Sequence, residues 1–416
     1  MPVPLDAALC AHLPHDLGVA AVRDGDAVVV HAGVREVLTA HGAAGFTALD
    51  HAARGGWWAG VVSFDLGRAV ERVVTRNRDD LGIPDVVLAR FEARAVVADG
   101  DVTVEGTGAG RLALDQARWR ARRSGEPGGE TRVRLGPWQS SLSRAEHAER
   151  VHAVHELLRA GECYQVNLTR RLTARGAPDA RALYGALADA HPAPQLSVCT
   201  FGGDGPDLAT VSASPELYLR VDGRRVTTRP IKGTARDAGA LARSEKDAAE
   251  NVMIVDLARN DLGRVCTPGT VRVPELLTIE AHPGLCHLVS TVEGELDPGV
   301  GLGDLVRATF PPASVTGAPK PRVLQAIEDL EPVRRGVYCG AIGWIDGDRG
   351  TAQLAVAIRT FTLVGGRTHF GVGGGIVADS RADDEWAETE LKAARLLAVV
   401  GREAGDEVGT GHRVAP

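Results

Sequence analysis

The chain has 416 residues, 44% of them hydrophobic, with 47 Lys and Arg against 54 Asp and Glu and a formal net charge of −7. That length and apolar share suffice for one large or two ordinary domains, and the interspersed, mildly acidic charge argues against a nucleic-acid partner. Cys10, Cys163, Cys199, Cys266, Cys286 and Cys339 are scattered without a CxxC pair, which suits reduced thiols rather than disulfides or zinc. MPVPLDAALCAHLPHDL has no charged-then-apolar leader and no apolar run of about 18 residues occurs, so the expectation is a cytoplasmic protein without a membrane partner.

Residues 1 to about 100 alternate β-like runs (DAVVVHAG, GWWAGVVSF, DVVLARFEARAVVADGDVTVEG) with alanine-rich helical pieces, an α+β unit with antiparallel strands. From about 106 to 138 the chain is rich in Gly and Arg and reads as a surface linker, giving an N-terminal unit over 1–138. Ser143 and Glu146 form a capping-box pattern, and Val151, Val154 and Leu158 continue one helical face until Gly161. This opens a second unit over 139–402, followed by a tail over 403–416. Within it CYQVNLTRRL, QLSVCTF and ATVSASPELYLRV read as strands, and Asp222-Gly223 as a two-residue hairpin turn that returns through RRVTTRPI to Lys232.

Four constellations can carry chemistry. Asp247 and Glu250 in SEKDAAENVMIVDLARNDLG sit three apart, on one face if the segment is helical, and Glu385 and Glu388 in DDEWAETELKAARLL repeat that spacing. Taken alone, each pair reads as solvated helix surface, and Glu388 with Lys392 as an i,i+4 salt bridge; facing each other, oxygen-only ligands favour Mg²⁺. Gly373, Gly374 and Gly375 in FGVGGGIVADS follow a strand and read as amides that approach an anion or as a tight bend in a sheet; no GK[ST] follows, so a P-loop is not supported. SVTGAPKPRVLQAI places Thr316 near a helix start and Lys320 where it can meet an anion, or is simply a proline-started helix. Glu216 and Lys232 lie on opposite arms of the hairpin near its open end. Exposed, they make a salt bridge worth under ~1 kcal/mol; buried, they become an acid with a raised pKa and an amine with a lowered one. His287, Arg359 and Trp344 occur in apolar surroundings, where a hydrogen-bonded core His and a core Trp are the ordinary readings.

From about Ser141 to Ala398, the blocks AGECYQVNLTRR, SASPELYL, RPIKGTAR, AAENVMIVDLARNDLGRV, HLVS, FPPASVTGAPKPRVLQAIEDLEP, CGAIGW, AIRT and GGGIVADS resemble, in order, the chorismate-utilising enzymes. Within them the resemblance is to component I of aminodeoxychorismate synthase, with component I of anthranilate synthase its relative. It implies an α+β fold of two large antiparallel β-sheets packed face to face with flanking helices. It implies Mg²⁺ at Glu250 and Glu388 with Asp247 and Glu385 beside them, Asp247 standing where a glutamate is usual. Gly373, Gly374, Gly375, Thr316, Arg359 and Lys392 would hold the carboxylates of chorismate, His287 would steady the ring, and Glu216 would be the general acid for the leaving 4-hydroxyl.

Lys232 gives this chain PIKGT where anthranilate and isochorismate synthases carry PIAGT or PLAGT. The resemblance implies a covalent Lys232 intermediate on the way to 4-amino-4-deoxychorismate, on the route to p-aminobenzoate and folate or to a p-aminophenyl metabolite. GLCHLV is the run nearest to a G-x-C-x-G nucleophile turn and lacks its final glycine, so ammonia is expected from a separate class I glutamine amidotransferase subunit. Anthranilate synthase component I and a non-catalytic chorismate-binding paralogue are the alternatives.

Overall fold

The computed structural model describes residues 4–124, 135–203, 205–282 and 285–401. The core of the expected linker, 125–134, and the expected tail, 403–416, lie outside them. All named strands pair antiparallel in one network of 19 strands, and the expected pair of sheets corresponds to its two limbs. The first limb runs from Asp101–Gly106 through Val86–Ala98, Ala27–Ala40, Val19–Asp24, Gln195–Thr200, Leu208–Ser214 and Thr360–Val364 to Arg367–Ile376 and Gln165–Arg175. The second runs from Val86–Ala98 through Trp57–Val62, Ala341–Asp346, Thr351–Val356, Leu217–Asp222 and Arg225–Arg229 to Leu285–Glu295 and Arg272–His282. Ala27–Ala40 and Val86–Ala98 are long enough to pass from one limb to the other, and a bulge between Val34 and Glu36 accompanies the change of direction. The sheet therefore draws strands from both sides of residue 138.

Period-two alternation explains the layers. Ala20 and Val22 of the first limb meet Val61, Ile342 and Trp344 of the second in a shared core. Their neighbours Val19 and Ala21 face outward under the helices Leu5–Ala11, Gly108–Ser124, Ala180–Ala190 and Ala382–Gly401. On the second limb Trp58 and Val62 face outward under Ala44–Ala52, Arg144–Arg159, Glu245–Gly263, Leu302–Thr309 and Lys320–Leu330. Trp344 is thus a core residue, and each such large apolar side chain contributes about 1.5–3 kcal/mol by leaving water.

Three local expectations need correction. The Gly- and Arg-rich stretch is no linker over its first half: Gly108–Ser124 is a helix. Its Ala113, Leu114, Ala117 and Ala121 recur at helical spacing and are buried, a stripe that the window's average composition hides. The hairpin pairs Asp222 with Arg225, so its two-residue loop is 223–224 rather than 222–223. Gly223 takes φ +59° there, which a glycine at the first loop position allows. Finally, Gly373, Gly374 and Gly375 lie inside the strand Arg367–Ile376 rather than after it. The capping box holds: Ser143 accepts from the Glu146 amide, and the Glu146 carboxylate accepts from the Ser143 amide at 2.8 Å.

Candidate functional site

Leu217 pairs with Arg229, so Glu216 stands just past the last rung of the hairpin, where Pro230 ends one strand and Ile231–Ala235 begins the next. Glu216 is 4% exposed. Burial lifts its pKa to about 7 against the pull of the Ser314 hydroxyl, Lys232, the Ile231 amide and Arg359. The Lys232 side chain is 14% exposed and its Nζ lies 3.7 Å from Glu250 Oε2. Burial lowers its pKa, Glu250 and Glu216 oppose that shift, and Lys392 adds to it. Gly233 follows with φ +82°, and a Cβ there would stand 2.9 Å from Asp247 Cγ. The glycine after the lysine lets this strand lie directly against the acidic helix.

Ser244 caps that helix, Glu245–Gly263. It is pinned by the fully buried Asn251, whose amide donates to Leu288 O at 3.1 Å while Ser290 donates to its Oδ1 at 2.5 Å. Glu250 therefore faces Lys232 and Asp247 the glycine after it, on one helical face as the three-residue spacing predicts. Glu385 and Glu388 approach from Ala382–Gly401: a Cβ on Gly374 would lie 3.0 Å from Glu385 Oε2, 3.9 Å from Glu388 Oε1 and 4.0 Å from Lys392 Nζ. Burial raises the pKa of Glu385, partly offset by the Ser380 hydroxyl, with Glu388 raising it and Lys246 of the other helix lowering it. The charge of Lys246, 4.0 Å from Glu250, thus reaches both acidic pairs. Among the described residues, no three His, Cys, Asp or Glu side chains are close enough together to hold a metal ion. Lys232 and Lys246 neighbour Glu250, and Lys392 bonds Glu388 at 2.6 Å, the i,i+4 pair read from the sequence.

Lys392 also donates to Gly373 O at 3.0 Å, tying its helix to the glycine strand. Gly373, Gly374 and Gly375 pair with Thr169, Leu168 and Asn167 on one side, while the partner on the other side ends by Phe370. That edge is free of a strand. His287 is 2% exposed, and its Nδ1 lies 2.8 Å from Thr234 Oγ1. Burial, Arg359 and His282 bring its pKa to about 4, so the ring is neutral at pH 7. Arg359 takes φ +52°, a conformation that costs a non-glycine residue about 1–3 kcal/mol. Among the described residues its guanidinium has no hydrogen bond or ion pair, and burial lowers its pKa against the pull of Glu216. A desolvated cation without a partner is suited to an anionic ligand.

Two expected residues are engaged elsewhere. Thr316 is fully buried and its hydroxyl donates to the carbonyls of Pro312 and Ala313 at 3.2 and 3.4 Å. Lys320 turns inward to Asp261 at 2.5 Å and Thr309 O at 2.7 Å, a buried ion pair rather than an anion site. Sequence reasoning also missed Gln165. Its buried amide donates to Glu250 Oε2 at 3.3 Å, and a Cβ on Gly375 would overlap its Nε2 at 2.3 Å. Gln165 therefore joins the glycine strand to the acidic helix; strand alternation in CYQVNLTRR could have placed it inward.

The profile of the chorismate binding enzyme family matches residues 22–398. A relative from Salmonella typhimurium, aminodeoxychorismate synthase component 1, is 39% identical over 349 residues, 81% of this chain and 75% of that protein. Anthranilate synthase component 1 of Thermus thermophilus is 40% identical over 367 residues, 83% and 78%. The solved anthranilate synthase component I of Streptococcus pneumoniae superimposes with a TM-score of 0.75 at 27% identity, covering 94% of this chain and 91% of that one. A family model matched over most of the chain, with relatives about 40% identical over four-fifths of it, shows that the chain belongs to the chorismate binding enzymes.

Proposed function

We propose that this chain is component I of an aminodeoxychorismate synthase, converting chorismate and ammonia to 4-amino-4-deoxychorismate. A separate class I glutamine amidotransferase subunit would supply the ammonia, in a cytoplasm where the six buried free cysteines stay reduced. The observation that carries the reading is Lys232: a desolvated amine in PIKGT, with Glu216 poised as a neutral acid beside it. The neutral amine adds at C2 of chorismate as the 4-hydroxyl departs, taking the Glu216 proton and leaving as water. Ammonia then attacks C4, the C2–N bond breaks, and its electron pair returns to Lys232. The new ammonium gives a proton back to Glu216, so the balance is one ammonia consumed and one water released, with the enolpyruvyl ether intact.

Arg359, Lys392 and the Gly373 to Gly375 edge would hold the substrate carboxylates, with Thr316 shaping the adjoining turn and neutral His287 steadying the ring. The donor set is all carboxylate, the type a hard cation takes, but among the described residues it is not gathered into a site, so the two pairs would have to draw together around the ion. Glu250 and Glu388 would hold Mg²⁺, with Glu385 and, through water, Asp247 beside them; when bound, the metal neutralises a substrate carboxylate.

The test is mass-resolved product analysis with chorismate, Mg²⁺ and ammonium. The expected result is amination without pyruvate for the wild type and a severe loss, or a changed product, for Lys232→Ala. An anthranilate synthase is the second reading, favoured by the 40% identity to the Thermus thermophilus protein; anthranilate and pyruvate from the wild type would establish it instead.

A further inference from the structure

The strand Gln165–Arg175 carries the glycine strand on one edge and has an interrupted edge on the other. On that outer edge Ala318 and Gly317 pair with Gln165 and Val166, and Ser140 and Gln139 pair with Leu172 and Thr173. Among the described residues no strand covers Asn167 to Thr169 between them. Two charged side chains close the gap. Arg335 Nη2 donates to Asn167 O at 2.6 Å, and Glu331 Oε1 accepts from the Thr169 amide and the Thr169 hydroxyl, each at 2.9 Å. The two hold each other through Nε to Oε2 at 2.9 Å and Nη2 to Oε1 at 2.7 Å. A donor at Asn167 and an acceptor at Thr169, alternate residues on one edge, are what a neighbouring strand would offer there.

The side chains of Arg335 and Glu331 are 2% and 3% exposed. Taking both charges out of water is costly, and an apolar pair of similar volume is often as good for stability. An apolar pair could not satisfy the two backbone groups. Arg335 also reaches beyond the strand: Nη1 donates to Val315 O at 2.8 Å, in the turn before Thr316, and the guanidinium lies 4.4 Å over the Phe64 ring. Gly336, next to it, is held from the N-terminal half, its amide by Asp65 at 3.1 Å and its carbonyl by the Phe64 amide at 2.8 Å. The consequence is register. Asn167 and Thr169 stand opposite Gly375 and Gly373, and Gln165, two residues earlier, reaches Glu250. A slip of one residue would turn Gln165 to the other face of the sheet.

We propose that Arg335 and Glu331 are positioning residues for the substrate site: they stand in for a missing piece of strand and fix the register that places the glycine edge and Gln165. The assignment rests on the reading above, in which the glycine edge holds the substrate carboxylates. Neither side chain touches the reacting groups; both act through the backbone of Gln165–Arg175.

Arg335→Lys keeps a charge beside Glu331, but a single ammonium cannot replace a fork that serves Glu331, Asn167 and Val315 together. Chorismate binding, measured by calorimetry without ammonium, should weaken about tenfold, about 1.4 kcal/mol. Amide exchange over 165–169 and 372–376 should quicken. Val22→Ala, which opens a cavity in the core shared by the two limbs, is the control for lost stability. It should lower the denaturant midpoint while leaving chorismate affinity and exchange in those two segments as in the wild type. Thr169→Val removes one donor to Glu331 with little change of shape and should weaken binding by about two- to fivefold. Unchanged binding in Arg335→Lys, an equal loss in Val22→Ala, or weaker binding without faster exchange in the two segments would overturn the proposal. If Arg335→Lys does not fold, Thr169→Val decides, and wild-type affinity there overturns it. A wild type that binds no chorismate refutes the reading of the site instead, and the exchange comparison then still decides whether the pair sets the register.

Discussion

Lys232 Nζ and Glu250 Oε2 stand 3.7 Å apart, one on the strand after the hairpin and the other on the helix packed against it. Because the lysine is desolvated, removing its amine should damage the chemistry more than the binding. Lys232→Met, close in length and uncharged, is expected to lower amination by at least ~10³-fold. Chorismate binding, followed by calorimetry, should persist because the proposed carboxylate anchors, Arg359 and Lys392, remain. Loss of binding together with turnover would make Lys232 a substrate anchor rather than a nucleophile.

Glu216 predicts the alkaline limb. Its pKa in the folded protein, about 7, lies above the ordinary 4.5, so the neutral acid is present below pH 7 and is lost as pH rises through that value. The kcat/KM profile should therefore fall above about pH 7, and Glu216→Gln should abolish that limb along with most activity. The same shift affects stability. Between about 4.5 and 7 the folded state holds a proton that the unfolded state has released, so this group's contribution falls with rising pH.

Buried histidines act at the acid end. His31 is held near pKa 3 and His147, His287 and His369 near 4, each chiefly by burial. Unfolded, each takes a proton below about 6.5. The unfolded state then binds more protons, and stability should drop as pH falls from about 6.5 to 4. Denaturant midpoints across that window check it; a flat profile would contradict the burial of these rings.

Arg170 tests how the second acidic pair is held. Its side chain is fully buried, with Nε donating to Thr389 Oγ1 at 3.0 Å, a contact to Glu390, and its guanidinium 4.0 Å over the Trp386 ring. All three partners belong to the helix that carries Glu385 and Glu388. Arg170→Met should cost about 1–3 kcal/mol of stability, read as a lower denaturant midpoint. It should also weaken Mg²⁺ binding measured by calorimetry without turnover. Arg170→Lys should recover stability only in part, because a point charge cannot reproduce the fork.

The carboxylate pairs show how far the sequence reaches. The three-residue spacings at Asp247 and Glu250 and at Glu385 and Glu388 put each pair on one helical face. Only the sheet places the two helices together, and that is a matter of strands far apart in sequence. The hairpin was legible but one residue out of register, since Asp-Gly and Gly-Arg are both tolerated loops. Lys320 could not be resolved: a lysine at a helix start looks the same whether it meets a ligand or, as here, Asp261 from another helix. Gln165 was hidden because a lone amide in a strand has no chemical signature until its partner Glu250 is known.

The three glycines should respond differently to a single methyl group. At Gly373 a Cβ would meet Leu168 O at 2.4 Å, and backbone cannot yield without opening the ladder to Gln165–Arg175. At Gly374 the nearest atom is Glu385 Oε2 at 3.0 Å, the far end of a side chain that can turn aside. Gly373→Ala should therefore lose about 1–3 kcal/mol of stability. Gly374→Ala should keep its denaturant midpoint and instead raise the Mg²⁺ concentration needed for half-maximal activity and weaken metal binding by calorimetry. A stability loss at Gly374 as large as that at Gly373 would mean that Glu385 is held rigidly by Ser380, whose hydroxyl donates to its Oε1 at 2.6 Å. The double variant Gly374→Ala with Ser380→Ala separates these outcomes, because freeing that bond should restore stability only if the bond prevents Glu385 from moving.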